Sequence, residues 1–280
     1  MLHEEAHFIT HDGLELYRQH WLPDGDPQAT LAVIHGFGEH SGRYSDFAGW
    51  FVPQGYGVHS FDHRGHGKSP GKRGHINRWS EYREDVHSFL ALVREQTPQV
   101  PLFLVGHSMG GLVVLDYGLH YGEGLAGVVS SGPSLAWGES TSSTLVFLGK
   151  LLSYIVPQLQ MDSHLNSADL SHNTGSVQAY RKDPLVHGLT TPGFAAAMDR
   201  TMKATMAGAS TWPAGLPLLI VHGAGDRLCP PAASRQFCKT CGAKDKARIE
   251  YPGFLHEVFN DVGREKVLTD VQVWLELHLA

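Results

Sequence analysis

The stretch that decides the fold is LFLVGHSMGGL, residues 102–112. It begins as a short apolar run, typical of a strand covered on both faces. It then passes through a G-x-S-x-G motif and continues to Tyr121 as an apolar helical pattern. In this motif the serine sits on a sharp turn between a strand and a helix, which exposes its hydroxyl at the strand end. We therefore predict Ser108 to be a nucleophile.

A second G-x-S-x-G, residues 67–71, lacks this context. Ser69 lies in a loop rich in Gly, Lys, Arg and Pro, some residues beyond the strand predicted to end at Asp62. We therefore reject Ser69 as the nucleophile. We also expect the loop Asp62–Gly67 (DHRGHG) to brace the loop that follows the first buried strand.

The flanking sequence alternates between strands and helices. Two segments, Ala6–Thr10 and Leu14–Trp21, alternate in polarity around Asp12-Gly13, which predicts an antiparallel hairpin. Apolar runs then predict buried strands at 31–35, 57–62, 101–106, 125–131 and 216–222, with a weaker one at 248–251. Helices are predicted over 79–93, after Ser108 and over 258–279. This order predicts a mostly parallel, doubly wound α/β sheet.

The alternation breaks between residues 132 and 215, where no clear strand is found. We interpret this span as a helical lid inserted into a core made of residues 1–131 and 216–280. Its most apolar part, Leu145–Val156, has little polar face. Two interpretations stay open: a wall of a binding tunnel with an outer face that touches lipid, or a helix that only packs on the sheet.

A serine nucleophile needs an adjacent base. In this fold class the acid and then the histidine follow the serine in the chain. Of the seven histidines after Ser108, His256 alone stands in a loop just beyond the last strand. Asp226 follows the strand 216–222 through a Gly-rich turn, so we predict Asp226 as the acid that orients His256. His222 is rejected as the base because it ends that strand.

The loop HGFGEH, residues 35–40, follows the first buried strand. Its glycines allow a bend that points backbone amides inward, so we predict an oxyanion hole made by the N–H groups of Phe37 and Met109. A phosphate-binding loop is the alternative. It fails because neither G-K-[ST] nor G-x-G-x-x-G with a later acidic residue is present.

Taken together, these residues resemble the monoacylglycerol lipase and lysophospholipase family of α/β-hydrolases. The similar motifs run along nearly the whole chain: HGFGEH followed by RY at 43–44, FDHRGHGKS at 61–69, GHSMGG at 106–111, SADLS at 167–171, DPLV at 183–186, HGAGD at 222–226 and HE at 256–257. The resemblance implies an eight-stranded α/β-hydrolase sheet with a helical cap. It assigns the triad to Ser108, Asp226 and His256.

The resemblance also implies a small acyl ester as substrate, above all a monoacylglycerol, and no cofactor or metal. We expect Leu148, Leu152, Ile155 and Met202 to contact the acyl chain, with Asp199 and Met206 nearby. The alternatives on the same triad are a lysophospholipase, a thioesterase and a peptidase. An alternative of another class is a catalytically silent binding protein on this scaffold. Haloalkane or epoxide chemistry is disfavoured, because a carboxylate would stand where Ser108 is.

Composition limits the partners and the compartment. The formal net charge of −6 disfavours nucleic acid as a partner, since that role needs a basic face. No secretory signal and no membrane-spanning run is found in the sequence. Three cysteines fit a reducing compartment, so we expect a cytoplasmic monomer or homodimer that touches membranes transiently through its lid. Cys238 and Cys241 form a lone C-x-x-C that we interpret as two structural thiols, and Cys229 as a candidate for alkylation.

Overall fold

The computed structural model describes residues 1–138, 151–163 and 165–279. Its centre is an eight-stranded sheet, the strands of which are β1 (Leu2–Ile9), β2 (Glu15–Leu22), β3 (Ala29–Ile34), β4 (Tyr56–Phe61), β5 (Leu102–His107), β6 (Gly127–Ser131), β9 (Leu218–Gly223) and β10 (Lys246–Tyr251). They lie in the order β1-β2-β4-β3-β5-β6-β9-β10. β2 pairs antiparallel with β1 and β4, and the other neighbours are parallel. The predicted fold class is therefore confirmed.

Helices cover both faces of the sheet, which explains the continuous apolar runs. Those described are α1 (Ser45–Phe51), α2 (Ser80–Gln96), α3 (Met109–Tyr121), α4 (Thr174–Lys182), α5 (Pro192–Gly208), α6 (Pro231–Thr240) and α7 (Arg264–Glu276). Alternate residues of β5 enter two cores. Leu104 packs with side chains of α2 and α3, whereas Val105 packs with side chains of α1 and α7. Burial on both faces favours a nearly continuous run of apolar side chains along such a strand.

The predicted hairpin is present between β1 and β2, with Ala6 paired with Arg18. Its turn closes through Thr10, whose backbone N–H donates to the Leu14 carbonyl at 2.9 Å. Gly13 has φ 82°, a left-handed conformation that suits glycine.

The last helix begins later than predicted, at Arg264 rather than Val258. The carboxylate of Asp261 accepts backbone N–H groups from Leu255 and Val262, and this holds the segment in a non-helical loop. Gly263 then has φ 82°, which places the start of α7 directly after it.

The segment between β6 and β9 contains α4, α5 and a two-stranded ribbon made of β7 (Met161–Asp162) and β8 (Leu189–Thr190). These short strands were not predicted. Within the predicted helix Leu145–Val156, residues 151–155 are helical and residues 145–150 lie outside the described residues. That residues 132–215 form a lid remains a prediction. In the described ranges, no helix has the length and apolarity needed to cross a bilayer.

Candidate active site

Ser108 occupies a sharp turn between β5 and α3. Its φ of 56° makes it the one non-glycine residue with positive φ in the described ranges. The turn is fixed by the backbone: the Ser108 N–H donates to the Ser131 carbonyl at 2.9 Å, and its carbonyl accepts N–H groups from Leu112 and Ser134 at 3.1 Å each. A serine held in this conformation stores strain that the surrounding structure must support.

The two motif glycines permit this turn. A Cβ at Gly110 would collide with the carbonyl oxygen of Ile34, and a Cβ at Gly106 would collide with that of Gly110. The absence of both side chains lets α3 approach the ends of β3 and β5. Helix α3 thus starts at Met109, directly behind the serine.

Asp226 and His256 meet as the sequence predicts. The Nδ1 of His256 lies 2.7 Å from Oδ2 of Asp226. The other carboxylate oxygen, Oδ1, accepts the backbone N–H groups of Leu228 and Cys229 at 2.9 Å each. Burial alone would raise the pKa of Asp226, but the charge of His256 and hydrogen bonds from His222 and His256 outweigh it and lower that pKa. An ionised carboxylate only accepts hydrogen bonds, so Nδ1 of His256 carries the proton.

The same carboxylate affects the imidazole. Burial works against a charge on His256, but Asp226 and, more weakly, Glu257 and Glu39 outweigh it and raise the pKa of His256. His256 is 3% exposed. The site therefore stabilises the imidazolium that forms when the histidine takes up a proton.

The Cys229 thiol lies near Asp226 and His256 and also contacts Ser108. A ring nitrogen of His256, a carboxylate oxygen of Asp226 and Sγ of Cys229 all lie within 4.8 Å of one another. The Cys229 thiol lies 3.2 Å from Oγ of Ser134 and also has a hydrogen bond with Ser108. The three predicted triad residues are thus brought to one place, around a buried thiol. Burial raises the pKa of Cys229, which disfavours the reactive thiolate.

The loop predicted to carry the oxyanion hole lies beside the serine. A Cβ on Gly36 would lie 3.2 Å from Cβ of Ser108, which shows how closely the loop approaches. Among the described residues, no hydrogen bond to a protein acceptor is found for the backbone N–H of Phe37 or Met109. Both amides thus remain available to a ligand, as a hole for a negative oxygen requires.

A buried ion network ties this loop to the histidine loop. Arg43 makes two hydrogen bonds of 2.8 Å to Glu257, the residue after His256, and one of 2.5 Å to Glu39. Glu39 in turn accepts the N–H of Gly36 at 2.6 Å. Burial raises the pKa of Glu39, but the charge of Arg43 outweighs it and lowers that pKa to about 2. The Arg43 guanidinium thus joins the loop of Glu39 to the loop of Glu257, and Arg43 and Glu257 are 214 residues apart in sequence.

Sequence reasoning missed this network, although its members fall in the motifs RY and HE that carry the family resemblance. It also missed His107, whose ring centroid lies 4.7 Å from that of His256. Burial lowers the pKa of His107 to about 4, so this ring is neutral beside the candidate base. His222, rejected as the base, also contacts the catalytic carboxylate predicted at Asp226: its Nε2 lies 3.1 Å from Oδ2, the oxygen that His256 contacts. Its position four residues before Asp226 was a signal available in the sequence.

Ser69, the serine of the second G-x-S-x-G motif, is hydrogen-bonded to the backbone on both sides. Oγ of Ser69 donates to the carbonyl of Asp62 at 2.6 Å and accepts the N–H of Tyr17 at 3.0 Å. The bracing role of the loop 62–67 is confirmed: the N–H of His63 donates to Nε2 of His35 at 2.9 Å.

The residues predicted to contact the acyl chain differ in their surroundings. Met202 is buried on α5, in the same core cluster as Phe194 and Leu135. Leu152 is half-buried, whereas Ile155 is 69% exposed. Leu148 lies outside the described residues. A role in substrate binding remains a prediction for all four.

Two groups of described residues have the spacing of metal ligands. One is Asp226, Cys229 and His256, but its carboxylate and imidazole already bind each other. The other is His11 with Asp12 and Asp85, whose carboxylates both bind the Arg64 guanidinium. In both groups the carboxylates already have partners within the protein. The three cysteines are free thiols.

Known proteins share this arrangement of sequence and fold. The profile of the family described as "Serine aminopeptidase, S33" matches residues 25–263. The chain belongs to this family. It is 36% identical over 276 residues to the monoacylglycerol lipase of Mycolicibacterium smegmatis, with 98% of each chain covered. It is 30% identical over 285 residues to the monoglyceride lipase of Mus musculus, with 98% of this chain and 91% of that protein covered.

A solved structure agrees with these relatives. The monoacylglycerol lipase of Paleococcus ferrophilus superposes with a TM-score of 0.85 at 34% identity, covering 95% of this chain and 100% of that one. The family resemblance and the α/β-hydrolase fold are therefore confirmed. The chain is an enzyme of the serine hydrolase class.

Proposed function

We propose that this protein is a carboxylester hydrolase that cleaves monoacylglycerols, or similar esters of one acyl chain, to fatty acid and alcohol. The observation that carries the proposal is the 2.7 Å contact between His256 and Asp226, beside a serine held in a strained strand-to-helix turn. The names of the relatives support a glycerol ester as the substrate.

The mechanism follows from the roles of the residues. His256 takes the proton of the Ser108 hydroxyl while the Ser108 oxygen attacks the ester carbonyl. The backbone N–H groups of Phe37 and Met109 stabilise the negative oxygen of the tetrahedral intermediate. When the intermediate collapses, His256 protonates the leaving alcohol and an acyl-enzyme on Ser108 remains. Water, deprotonated by His256, then releases the fatty acid. Asp226 stays ionised throughout, and no cofactor is needed.

A peptidase is the second candidate, because the family description names an aminopeptidase. An aminopeptidase needs an anionic group that receives the free amine of its substrate. Four carboxylates of the site and the segment 132–215 come into question for this role, and each has a partner. Asp183 pairs with His40, and Asp199 pairs with Lys203 and accepts the indole N–H of Trp137. Glu39 and Glu257 both pair with Arg43. Because these carboxylates are already paired with cations or donors, the ester substrate is favoured.

We further propose that residues 132–215 act as a lid with an outer face that touches lipid transiently. Four apolar or aromatic side chains of the described part of this segment are more than half exposed: Leu151 at 52%, Tyr154 at 84%, Ile155 at 69% and Leu159 at 51%. A cluster of this kind is typical of a surface that meets a membrane or a partner. Three free thiols fit a cytoplasmic enzyme.

The decisive experiment compares the serines of the two G-x-S-x-G motifs. We expect Ser108→Ala to reduce kcat for monoacylglycerol hydrolysis roughly 10⁴-fold or more. Ser69→Ala is the matched control. It removes hydrogen bonds worth about 1 kcal/mol of stability but leaves turnover largely intact. Substantial turnover by the Ser108 variant would contradict the assignment.

The substrate class is tested with a panel of monoacylglycerols of different chain length, lysophospholipids, acyl thioesters and peptide amides. We expect the highest kcat/KM for a monoacylglycerol. A fluorophosphonate probe that labels wild type but not Ser108→Ala supports an active hydrolase. Failure to label wild type would favour the silent binding protein.

A further inference from the structure

His222 ends strand β9 and is buried at 0% exposure, four residues before Asp226. Its Nε2 lies 3.1 Å from Oδ2 of Asp226 and 2.9 Å from the carbonyl oxygen of Cys229. A carbonyl has no hydrogen to donate, and neither has an ionised carboxylate. Nε2 of His222 therefore carries the proton and donates to both oxygens.

The other ring nitrogen has a matching partner. Nδ1 of His222 lies 2.8 Å from Oγ of Ser234, the oxygen of which accepts the N–H of Arg248 Nε at 3.1 Å. In a neutral imidazole with its proton on Nε2, Nδ1 is an acceptor. The Ser234 hydroxyl has two acceptors in reach, Nδ1 of His222 at 2.8 Å and the carbonyl oxygen of Pro231 at 3.0 Å. With Nδ1 as an acceptor that has no other donor, the single hydroxyl hydrogen goes to His222, and the hydrogen bonds run in one direction from Arg248 through Ser234 and His222 to Asp226.

We propose that His222 is a positioning residue for the catalytic acid, and that it holds Oδ2 of Asp226 where the His256 ring meets it. Oδ2 then receives two imidazole N–H groups and Oδ1 receives two backbone N–H groups. Four donors, two on each oxygen, restrain the rotation of the carboxylate. This inference rests on the proposed function, because it assigns a role within the same reaction.

His222 also moderates the charge that His256 experiences. A donor on Oδ2 disperses part of the carboxylate charge, so its loss leaves more of that charge to stabilise the imidazolium of His256. Further titratable or charged groups act on the His256 ring, namely Glu39, Glu257 and His107, and Cys229 lies beside it. Arg248 is the charged group on the Ser234 side of His222. None of these groups is altered when His222 is replaced.

Two substitutions separate the two ring nitrogens. In His222→Gln the terminal amide reaches the place of Nε2 and still donates to Asp226. In His222→Asn the shorter amide reaches only the place of Nδ1 and leaves Asp226 without this donor. We expect His222→Gln to keep kcat within about threefold of wild type with an unchanged pH profile. We expect His222→Asn to lower kcat about tenfold, the effect of a lost hydrogen bond near 1.4 kcal/mol.

The pH profile distinguishes positioning from mere packing. In His222→Asn the acid limb of kcat/KM should move to higher pH by roughly half a unit, because the His256 imidazolium is better stabilised. KM should stay near the wild-type value, because His222 contacts Asp226, Cys229 and Ser234 rather than the proposed acyl or oxyanion positions. His120→Asn, a partly exposed histidine at the end of α3, is the control and should match wild type.

Ser234→Ala provides a second route if His222→Asn does not fold. It removes the donor to Nδ1 with the smallest change in a buried side chain, and kcat should fall about threefold with the acid limb displaced in the same direction. The proposal is overturned if His222→Asn and Ser234→Ala both keep the wild-type kcat and pH profile. It is also overturned if His222→Gln and His222→Asn are impaired equally.

The experiments on His222 can fail without contradicting the proposed function, and the two failures can be told apart. If Ser108→Ala abolishes ester cleavage while the His222 variants behave like wild type, only the positioning role fails. If wild type cleaves no ester, the proposed function itself fails.

Discussion

The loops around Ser108 and the apolar segment 151–159 of the proposed lid differ in how their side chains are surrounded. Around the serine, buried charged groups are paired at short distances, as Arg43 is with Glu39 and Glu257. In the segment 151–159, large apolar side chains face solvent, with Tyr154 84% exposed. Residues of the first region are held by several partners each, whereas those of the second have much of their surface uncovered. The comparison teaches that the proposed chemistry depends on fixed geometry, whereas the proposed lipid contact depends on exposed apolar area.

The largest effect is expected from the ion network. Arg43→Met leaves two buried carboxylates without their cation, which typically costs about 3–5 kcal/mol of the free energy of unfolding. Chemical denaturation of the variant measures this loss, and kcat should fall with it because both loops are released. Arg264→Met is the matched control. Its 2.8 Å pair with the largely exposed Asp46 should be worth less than about 1 kcal/mol. Equal losses in both variants would contradict the interpretation of the network.

A second effect concerns pH. Burial lowers the pKa of His59 to about 3 and that of His107 to about 4, so the folded protein keeps these rings neutral in mild acid. The unfolded chain takes up these protons below about pH 6.5. Stability should therefore fall as the pH falls from about 6.5, by up to about 1.4 kcal/mol per pH unit for each such ring.

Thermal unfolding between pH 8 and pH 5 measures this slope. His59→Phe replaces a ring buried at 1% exposure with one that does not titrate, and it should flatten the slope. His7→Phe, at an exposed position of β1, should not. A slope unchanged by His59→Phe would contradict the prediction.

A smaller effect of opposite sign is expected at the nucleophile. Ser108→Gly removes the steric cost of φ 56°, which is about 1–3 kcal/mol. It adds about 0.5–1 kcal/mol of backbone entropy to the unfolded chain. We expect a net stabilisation of about 1 kcal/mol and a Tm higher by roughly 2–4 °C, together with loss of activity.

Ser88→Gly, within α2, is the matched control. Its helical conformation suits serine, so the same substitution should destabilise by about 0.5–1 kcal/mol. A lower Tm in Ser108→Gly would mean that the turn is not strained.

The smallest effect on stability is expected in the lid segment. The triple variant Leu151→Ser, Tyr154→Ser, Ile155→Ser should change the free energy of unfolding by no more than about 0.5 kcal/mol for each exposed site. Hydrolysis of a short, water-soluble ester should be unchanged, whereas binding to phosphatidylcholine vesicles in a flotation assay should fall several-fold. Unaltered vesicle binding would contradict the proposed lipid contact.

Much of the core was predictable because the central strands β3, β4, β5, β6 and β9 have both faces buried. β5 was predicted over 101–106 and is Leu102–His107, and β9 was predicted over 216–222 and is Leu218–Gly223. The positions of Asp226 and His256 followed from chain order and from their location just beyond strands. The strand positions follow from local sequence patterns, and the triad assignment follows from the order of the residues along the chain.

What escaped prediction depends on contacts between distant parts of the chain. The pairing of Arg43 with Glu257 joins residues 214 apart, and no local pattern marks it. The delayed start of α7 depends on Asp261, which also accepts the N–H of His172 from a distant segment. The ribbon β7–β8 has strands of two residues, too short for any alternation to be visible.

The adjacency of β6 and β9 has a consequence for the evolution and engineering of this enzyme. Val128 pairs with Leu218, so the chain leaves and re-enters the sheet at neighbouring strands, which lie about 5 Å apart. The entropy of closing such an excursion grows only slowly with its length. The intervening segment should therefore be exchangeable for one of different size without disturbing the strands on either side. If the segment contacts the substrate as proposed, its exchange would change substrate preference while the strands that carry Ser108 and Asp226 keep their places.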